Sequence, residues 1–327
     1  MVSICQFGAG RIGAIHAANI ADSGAKLAYV VDVNRDAAQA LAGRHGARVA
    51  DADAALADAS VDAVVIASST DTHADLIERA AKAGKKIFCE KPVDLSMDRV
   101  DRCIATVKAA GVPVLMGFNR RFDPNFAALK QAIDAGRIGA VEMVQIVSRD
   151  PGPPPLAYVK VSGGLFRDMM IHDFDMARFL LGEEPVEVQA SASCLVDPQI
   201  GAAGDVDSAA VTLRTASGRL CQISNSRRAV YGYDQRVEVL GPKGMLAAGN
   251  RTPTTVVAST VDGVVADKPL HFFLERYAEA YRIELRHFLD VCAGKATPLV
   301  GIDDGRRALR LAEAANESLA SRRAVAV

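Results

Sequence analysis

Missing first of all is any excess of charge: 38 Lys and Arg stand against 39 Asp and Glu, a formal net charge of −1. A nucleic-acid or polybasic membrane partner calls for a basic surface, so neither is expected. The short basic pairs Arg227-Arg228 and Arg322-Arg323 read as solvated surface. The six cysteines, at 5, 89, 103, 194, 221 and 292, form no C-x-x-C pair. A zinc site or disulfide framework is therefore not expected, and the thiols read as buried and free in a reducing compartment. No apolar run is long enough to span a bilayer, and no basic segment with an apolar core opens the chain. A soluble cytoplasmic protein is the expectation. Internal repeats are absent as well.

What is present is enough for two domains: 327 residues, half of them hydrophobic. Up to about residue 115, short apolar runs alternate with amphipathic segments. "SICQFGA", "KLAYVVDV", "VDAVVIAS", "KIFCEKP" and "VPVLMGF" read as strands, each pair separated by a helix. That alternation predicts a doubly wound parallel sheet. After about residue 120 come strand-length pieces with partial period-two alternation, from "VEMVQIVSR" to "TTVVAST", with few helices between them. They predict a large, mostly antiparallel sheet in an α/β domain. Residues 167 to 181 read as one helix interrupting that series, and two amphipathic helices close the chain. "PGPPP" at 151 to 155 reads as a stiff extended loop. The expected division is 1–119 and 120–327, with the last helix able to pack back on the first domain.

Gly8-x-Gly10-x-x-Gly13 follows the first strand and opens a helix, and Asp32 closes the second strand about 20 residues on. Each glycine has its own reason. Gly8 permits a tight turn, Gly10 lets backbone approach a pyrophosphate, and Gly13 lets helix and strand pack closely. The helix N-terminus offers N–H groups to phosphate. Asp32 suits two ribose hydroxyls and repels a 2′-phosphate, which favours NAD over NADP, although Arg35 lies close by. Ligands of such sheets bind beyond the strand carboxyl ends. There "SSTDTH" offers Ser69, Thr70 and His73, and "CEKP" offers Glu90 and Lys91.

The second chemical signal lies in "GGLFRDMMIHDFDMARFLLG". On one helix, Asp168, His172 and Asp175 share a narrow stripe and apolar residues fill nearly all the rest. A helix apolar almost all round is buried, so its ionisable groups need a purpose. Imidazole is suited to take a hydroxyl proton near neutral pH. Asp168 is placed to orient it, and Lys91 is suited to stabilise an alkoxide. Three other readings stay open: a satisfied core histidine, a metal site on one helix face, and salt bridges to Arg178 and nearby arginines.

Taken together, Gly8-Ala9-Gly10-Arg11-Ile12-Gly13, Asp32, Glu90-Lys91-Pro92, "GFNRRFD" and "GGLFRDMMIHDFDMARFLLGEEPVEV" resemble the Gfo/Idh/MocA oxidoreductases. Within them the resemblance is closest to the bacterial inositol 2-dehydrogenases, over essentially the whole chain. It implies a Rossmann domain followed by an α/β domain whose open sheet joins subunits into dimers or tetramers. It implies NAD-dependent oxidation of a cyclic polyol, foremost myo-inositol to scyllo-inosose. A related inositol-isomer or pyranose dehydrogenase and a non-catalytic nucleotide-binding regulator are the alternatives. Lys91, Asp168 and His172 would be the catalytic trio. The cofactor would lie on residues 8 to 13, Asp32, Val33, Arg35, Ser69, Thr70, His73, Glu90 and Lys91, with no metal. The polyol would meet Lys91, Asn119, Arg120, Arg149, Asp150, Asp168, His172, Asp175, Tyr231 and Tyr233. Two departures stand out: Ser69-Thr70 where many relatives have Thr-Pro, and Asn119 where close relatives often carry a bulkier residue.

Overall fold

A computed structural model describes residues 1–327. It divides into Met1–Phe122 with Ala280–Leu309, and Asp123–Glu279 with Arg310–Val327. The sequence reading places one break at 119/120. In the structure the chain returns to the first unit with the helix before the last, not only with the last one.

The first unit holds six parallel strands: β1 Ser3–Phe7, β2 Lys26–Val31, β3 Arg48–Val49, β4 Ala63–Ile66, β5 Lys86–Glu90 and β6 Val114–Gly117. Their order is β3-β2-β1-β4-β5-β6. Every residue of β1, β4 and β6 is buried, which is why these strands read as unbroken apolar runs. The helices between them carry local start and stop signals. Asn34 accepts from the Ala37 N–H at 3.1 Å to open helix Arg35–His45, and left-handed Gly46 ends it. Ser96 and Gly111 do the same for helix Met97–Ala110.

The second unit is built on seven strands: β7 Met143–Arg149, β8 Pro185–Ser193, β9 Ser208–Thr215, β10 Leu220–Ser226, β11 Asp234–Gly241, β12 Gly244–Ala248 and, beyond the separate hairpin β13 Val257–Thr260 and β14 Gly263–Ala266, β15 Val325–Ala326. The order is β12-β11-β7-β10-β9-β8-β15, antiparallel except for β7 against β10. In β11 and β9 buried and exposed residues alternate, the mark of a sheet with one covered face. Helices Pro124–Asp134 and Ile171–Leu181 pack against each other, the first on β12 and the second on β7 and β10.

One expectation fails in an instructive way. Residues 167 to 181 are not a single helix. A four-residue helix, Leu165–Asp168, is followed by Ile171–Leu181. At the break the Met170 N–H reaches back to Leu165 O at 2.9 Å, five residues, and Asp173 N–H to Met170 O at 2.8 Å, three residues. The start of the first helix is held from elsewhere in the chain. The Asp205 carboxylate accepts from the Leu165 N–H at 2.9 Å. Gly164, with φ +86°, has no Cβ, and one would stand 2.8 Å from that carboxylate. This anchor sets where the first helix starts, and the ladder is reset before the second. The "PGPPP" segment at 151 to 155 carries no helix or strand, and a short helix, Leu156–Val159, follows it.

Helix Ala278–Cys292 buries a carboxyl in the first unit. Glu284 is 0 % exposed, and neither of its oxygens has a hydrogen-bond partner. Burial, and then the charge of Glu90, push this carboxyl well above its ordinary value of 4.5. A raised folded-state pKa gives stability that is complete below the unfolded value and is lost as pH rises toward the folded one. Glu284→Gln removes that titration. The melting temperature of the variant is expected to overtake the parent above about pH 5, with a gap that widens as pH rises. Thermal melts across pH check this, and a gap constant with pH would contradict it.

Candidate active site

In the first unit the glycine turn is fixed by backbone contact. Gly8 has φ +98°, and a Cβ there would lie 2.3 Å from Ala67 O. A Cβ on Gly13 would lie 2.2 Å from Gly8 O. Neither position tolerates a side chain. Gly10 is different: a Cβ there meets nothing within 4 Å. It is the N-cap of helix Arg11–Asp22 and gives that helix no side-chain cap. The helix N-terminus thus presents its N–H groups across open space, as a pyrophosphate requires. The buried Gln6 amide steadies the turn from below, donating to Gly8 O at 2.9 Å and Gly13 O at 2.8 Å.

Asp32 accepts from the Ala9 N–H at 2.6 Å and the Asn34 N–H at 2.7 Å. These bonds fix its carboxylate at the end of β2, while Val33 and Arg35 stand exposed beside it. Ser69 is exposed and Thr70 half-buried at the start of a short turn of helix. His73 is placed otherwise than the sequence suggests. It is 1 % exposed, with Nδ1 2.7 Å from Pro92 O and Nε2 3.1 Å from Ser68 O. Burial holds the imidazole below its usual value, so the neutral ring donates to one carbonyl, Pro92 O being the nearer. The ring sits between the two loops that follow β4 and β5. Glu90 is turned toward His16 Nε2 at 2.8 Å, and Lys91, half-buried, precedes Pro92 through a cis peptide bond.

In the second unit the broken helix separates its ionisable groups. Asp168 and His172 are half-buried, whereas Met169–Ile171 and Asp173–Arg178 are fully buried. The Tyr158 hydroxyl donates to Asp168 Oδ1 at 2.9 Å. Burial, then the Asp168 charge, push this phenol up, so it stays protonated and a donor. Arg227 Nη2 lies 3.7 Å from Asp168 Oδ2. Asp175 is 0 % exposed and pairs with Arg178 at 3.4 Å, and Arg178 is held by both oxygens of Glu184, at 2.7 and 2.8 Å. The salt-bridge reading of the stripe therefore describes Asp175. No group of three or more His, Cys, Asp or Glu side chains is arranged to hold a metal ion.

The outer residues fall into pairs. Arg149 Nη1 donates to the Tyr231 hydroxyl at 3.0 Å, and that hydroxyl donates to the buried Asp234 at 2.6 Å. Asp150 follows at the end of β7, half-buried. Tyr233 is buried among aromatic rings, with Tyr277 at 5.9 Å and Phe272 at 6.0 Å. In the first unit Asn119 and Arg120 are buried in the turn after β6. Sequence reasoning missed Gln6, Tyr158 and Asp205, and it placed Arg227 on the surface, where the structure has it 1 % exposed. Gln6 had a visible signal, a lone polar residue in a buried strand. The others depend on partners distant in sequence.

A family model described as an oxidoreductase family with an NAD-binding Rossmann fold matches residues 2–118, and one for a GFO/IDH/MocA C-terminal domain matches 126–247. The chain belongs to the GFO/IDH/MocA oxidoreductase family. Among its relatives, the inositol 2-dehydrogenase of Rhizobium meliloti is 54% identical over 322 residues, 98% of this chain and 97% of that one. The structure of a putative myo-inositol dehydrogenase from Sinorhizobium meliloti superposes with a TM-score of 0.97 at 53% identity, covering 100% of both chains. A myo-inositol dehydrogenase of Lactobacillus casei, in complex with NAD(H) and myo-inositol, gives 0.89 at 26% identity over 100% of this chain and 97% of the other. The GFO/IDH/MocA chain is thus an oxidoreductase whose first unit is an NAD-binding Rossmann domain. The open Gly10 cradle, the uncapped helix and the fixed Asp32 fit that cofactor.

Asp32→Ala removes the carboxylate expected to accept from the ribose, and with it the anchor of the Ala9 N–H. NAD affinity is expected to fall about tenfold or more and the preference for NAD over NADP to narrow, as read by fluorescence titration. An unchanged preference would contradict the role given to Asp32.

Proposed function

We propose that the chain oxidises a secondary ring hydroxyl of a cyclic polyol with NAD, and that its substrate is myo-inositol, converted at carbon 2 to scyllo-inosose. One observation carries this reading: among the ionisable groups from 168 to 178, Asp168 and His172 alone are left partly open. The relatives, inositol dehydrogenases over nearly the full chain, point to the same substrate.

NAD supplies the hydride acceptor when bound. The rest falls to side chains. His172 takes the hydroxyl proton as general base. Asp168 orients the imidazole and stabilises its charged form. The Lys91 ammonium stabilises the oxygen as negative charge develops on it. A polyol presents neighbouring hydroxyls that each need a partner. Asn119, Arg120, Arg149, Asp150, Asp175, Tyr231 and Tyr233 are the groups proposed to meet them, Arg149 and Tyr231 being held in place by Asp234. We also assign the protein to the cytoplasm, where its six free thiols suit a reducing environment. A homo-oligomer joined through the C-terminal sheet is part of the same reading. Val186, Leu240 and Met245 on that sheet, and Val257, Val264 and Val265 on the hairpin, are large apolar side chains left exposed.

An NADH-formation screen across inositol isomers and pyranoses at fixed NAD is expected to give the highest kcat/KM with myo-inositol. A higher value for another isomer or a sugar would move the substrate assignment, and no turnover with any would leave a nucleotide-binding regulator. His172→Ala is expected to lower kcat by about 10²–10⁴-fold with NAD affinity nearly unchanged, and near-normal turnover would remove it from the mechanism. Light scattering is expected to give the mass of a dimer or tetramer, and a monomer would refute the sheet-mediated assembly.

A further inference from the structure

Arg227 is the largest wholly buried charged side chain with no hydrogen bond at two of its nitrogens, Nε and Nη2. It follows β10, and its N–H is fixed on Asp207 O at 2.8 Å. Asp207 is itself immobile. Its carboxylate collects the N–H groups of Leu195, Val196 and Asp197 at 2.7, 2.8 and 3.0 Å. Burial alone would raise this carboxyl, yet those donors outweigh it and hold it at about 2. The guanidinium that springs from this rigid corner puts one nitrogen, Nη2, midway between two carboxylates: 3.7 Å from Asp168 Oδ2 and 3.6 Å from Asp205 Oδ2. Both distances are ionic contacts rather than hydrogen bonds. Asp205 in turn holds the start of helix Leu165–Asp168 through the Leu165 N–H.

We propose that Arg227 is a positioning residue for the oxidation: shared between Asp168 and Asp205, its guanidinium clamps both ends of the short helix and aims the Asp168 carboxylate at His172. This role rests on the function proposed above. The division of labour at Asp168 is legible atom by atom. Oδ1 accepts from the Tyr158 hydroxyl and Oδ2 faces Arg227, so the two oxygens are approached from different elements. Without Arg227, the guanidinium that stands between the Asp168 and Asp205 carboxylates is lost, and Asp168 would turn away from the imidazole.

The test combines Arg227→Met, Arg227→Lys and Asp168→Asn, read by kcat and KM for myo-inositol, NAD affinity and melting temperature. Arg227→Met is expected to lower kcat about 100-fold, with KM and NAD affinity within about twofold. Arg227→Lys is expected to restore part of that loss, since it returns the charge without the planar fork. Combined with Asp168→Asn, neither Arg227 variant should slow the enzyme further, because both changes act on one step. Should Arg227→Met not fold, the lysine variant alone and on the Asp168→Asn background carries the same comparison. Losses that multiply on the Asp168→Asn background would overturn the role while leaving Asp168 in the mechanism. Near-normal kcat in Asp168→Asn itself would overturn the proposed site, and this role with it.

Discussion

Backbone packed on backbone at Gly8 is the contact on which the first unit depends. With φ +98° and Ala67 O where a Cβ would be, the chain leaves β1 by a path that only glycine can follow. The same turn puts Gly8 O against Gly13, draws the Gln6 amide beneath both, and brings the Ala9 N–H onto Asp32. Helix Arg11–Asp22 therefore begins with its N–H groups free, beside a fixed carboxylate, at the carboxyl edge of a parallel sheet. Any side chain at Gly8 or Gly13 would disturb helix position, Asp32 and the edge of the sheet at once. Gly10, by contrast, is bare because something must approach it.

The second unit is governed by buried charge. Asp173, Asp175, Asp207, Asp234, Arg227 and Arg276 are all sealed from solvent, and each has a counter-charge or a set of donors. Taking one member from such a pair costs roughly 3–5 kcal/mol, because the other is stranded. These contacts are poor sources of net stability but strong selectors of geometry. Beside them, Asp205 holds the start of helix Leu165–Asp168 through the Leu165 N–H, and Arg227 lies 3.7 Å from Asp168 at its end. Asp168 and His172 are left half-open by that framework, which is the state a proton-transferring pair requires.

How much of this was legible in the sequence follows from the range of each interaction. The glycine turn and Asp32 lie within 25 residues of one another and are set by local backbone, so the motif announced them. Strand and helix alternation did the same for the parallel sheet, except β3, whose two residues are too short to show a pattern. The anchor that starts helix Leu165–Asp168 was invisible because Asp205 lies 40 residues away from Leu165. Arg227 read as surface because an arginine beside another arginine carries no sign of the two carboxylates that enclose it. His73 lies near the strand edge, but its ring nitrogens face the carbonyls of Ser68 and Pro92, and only the fold brings the second of these to it.

We propose that Lys91 and His172 both serve the reacting carbon of the polyol. A structure of the protein with NAD and myo-inositol bound tests it most directly. The Lys91 Nζ and a His172 ring nitrogen are both expected within hydrogen-bond reach of the same hydroxyl oxygen. Nitrogens directed to separate hydroxyls, or a polyol seated away from the nicotinamide, would contradict it.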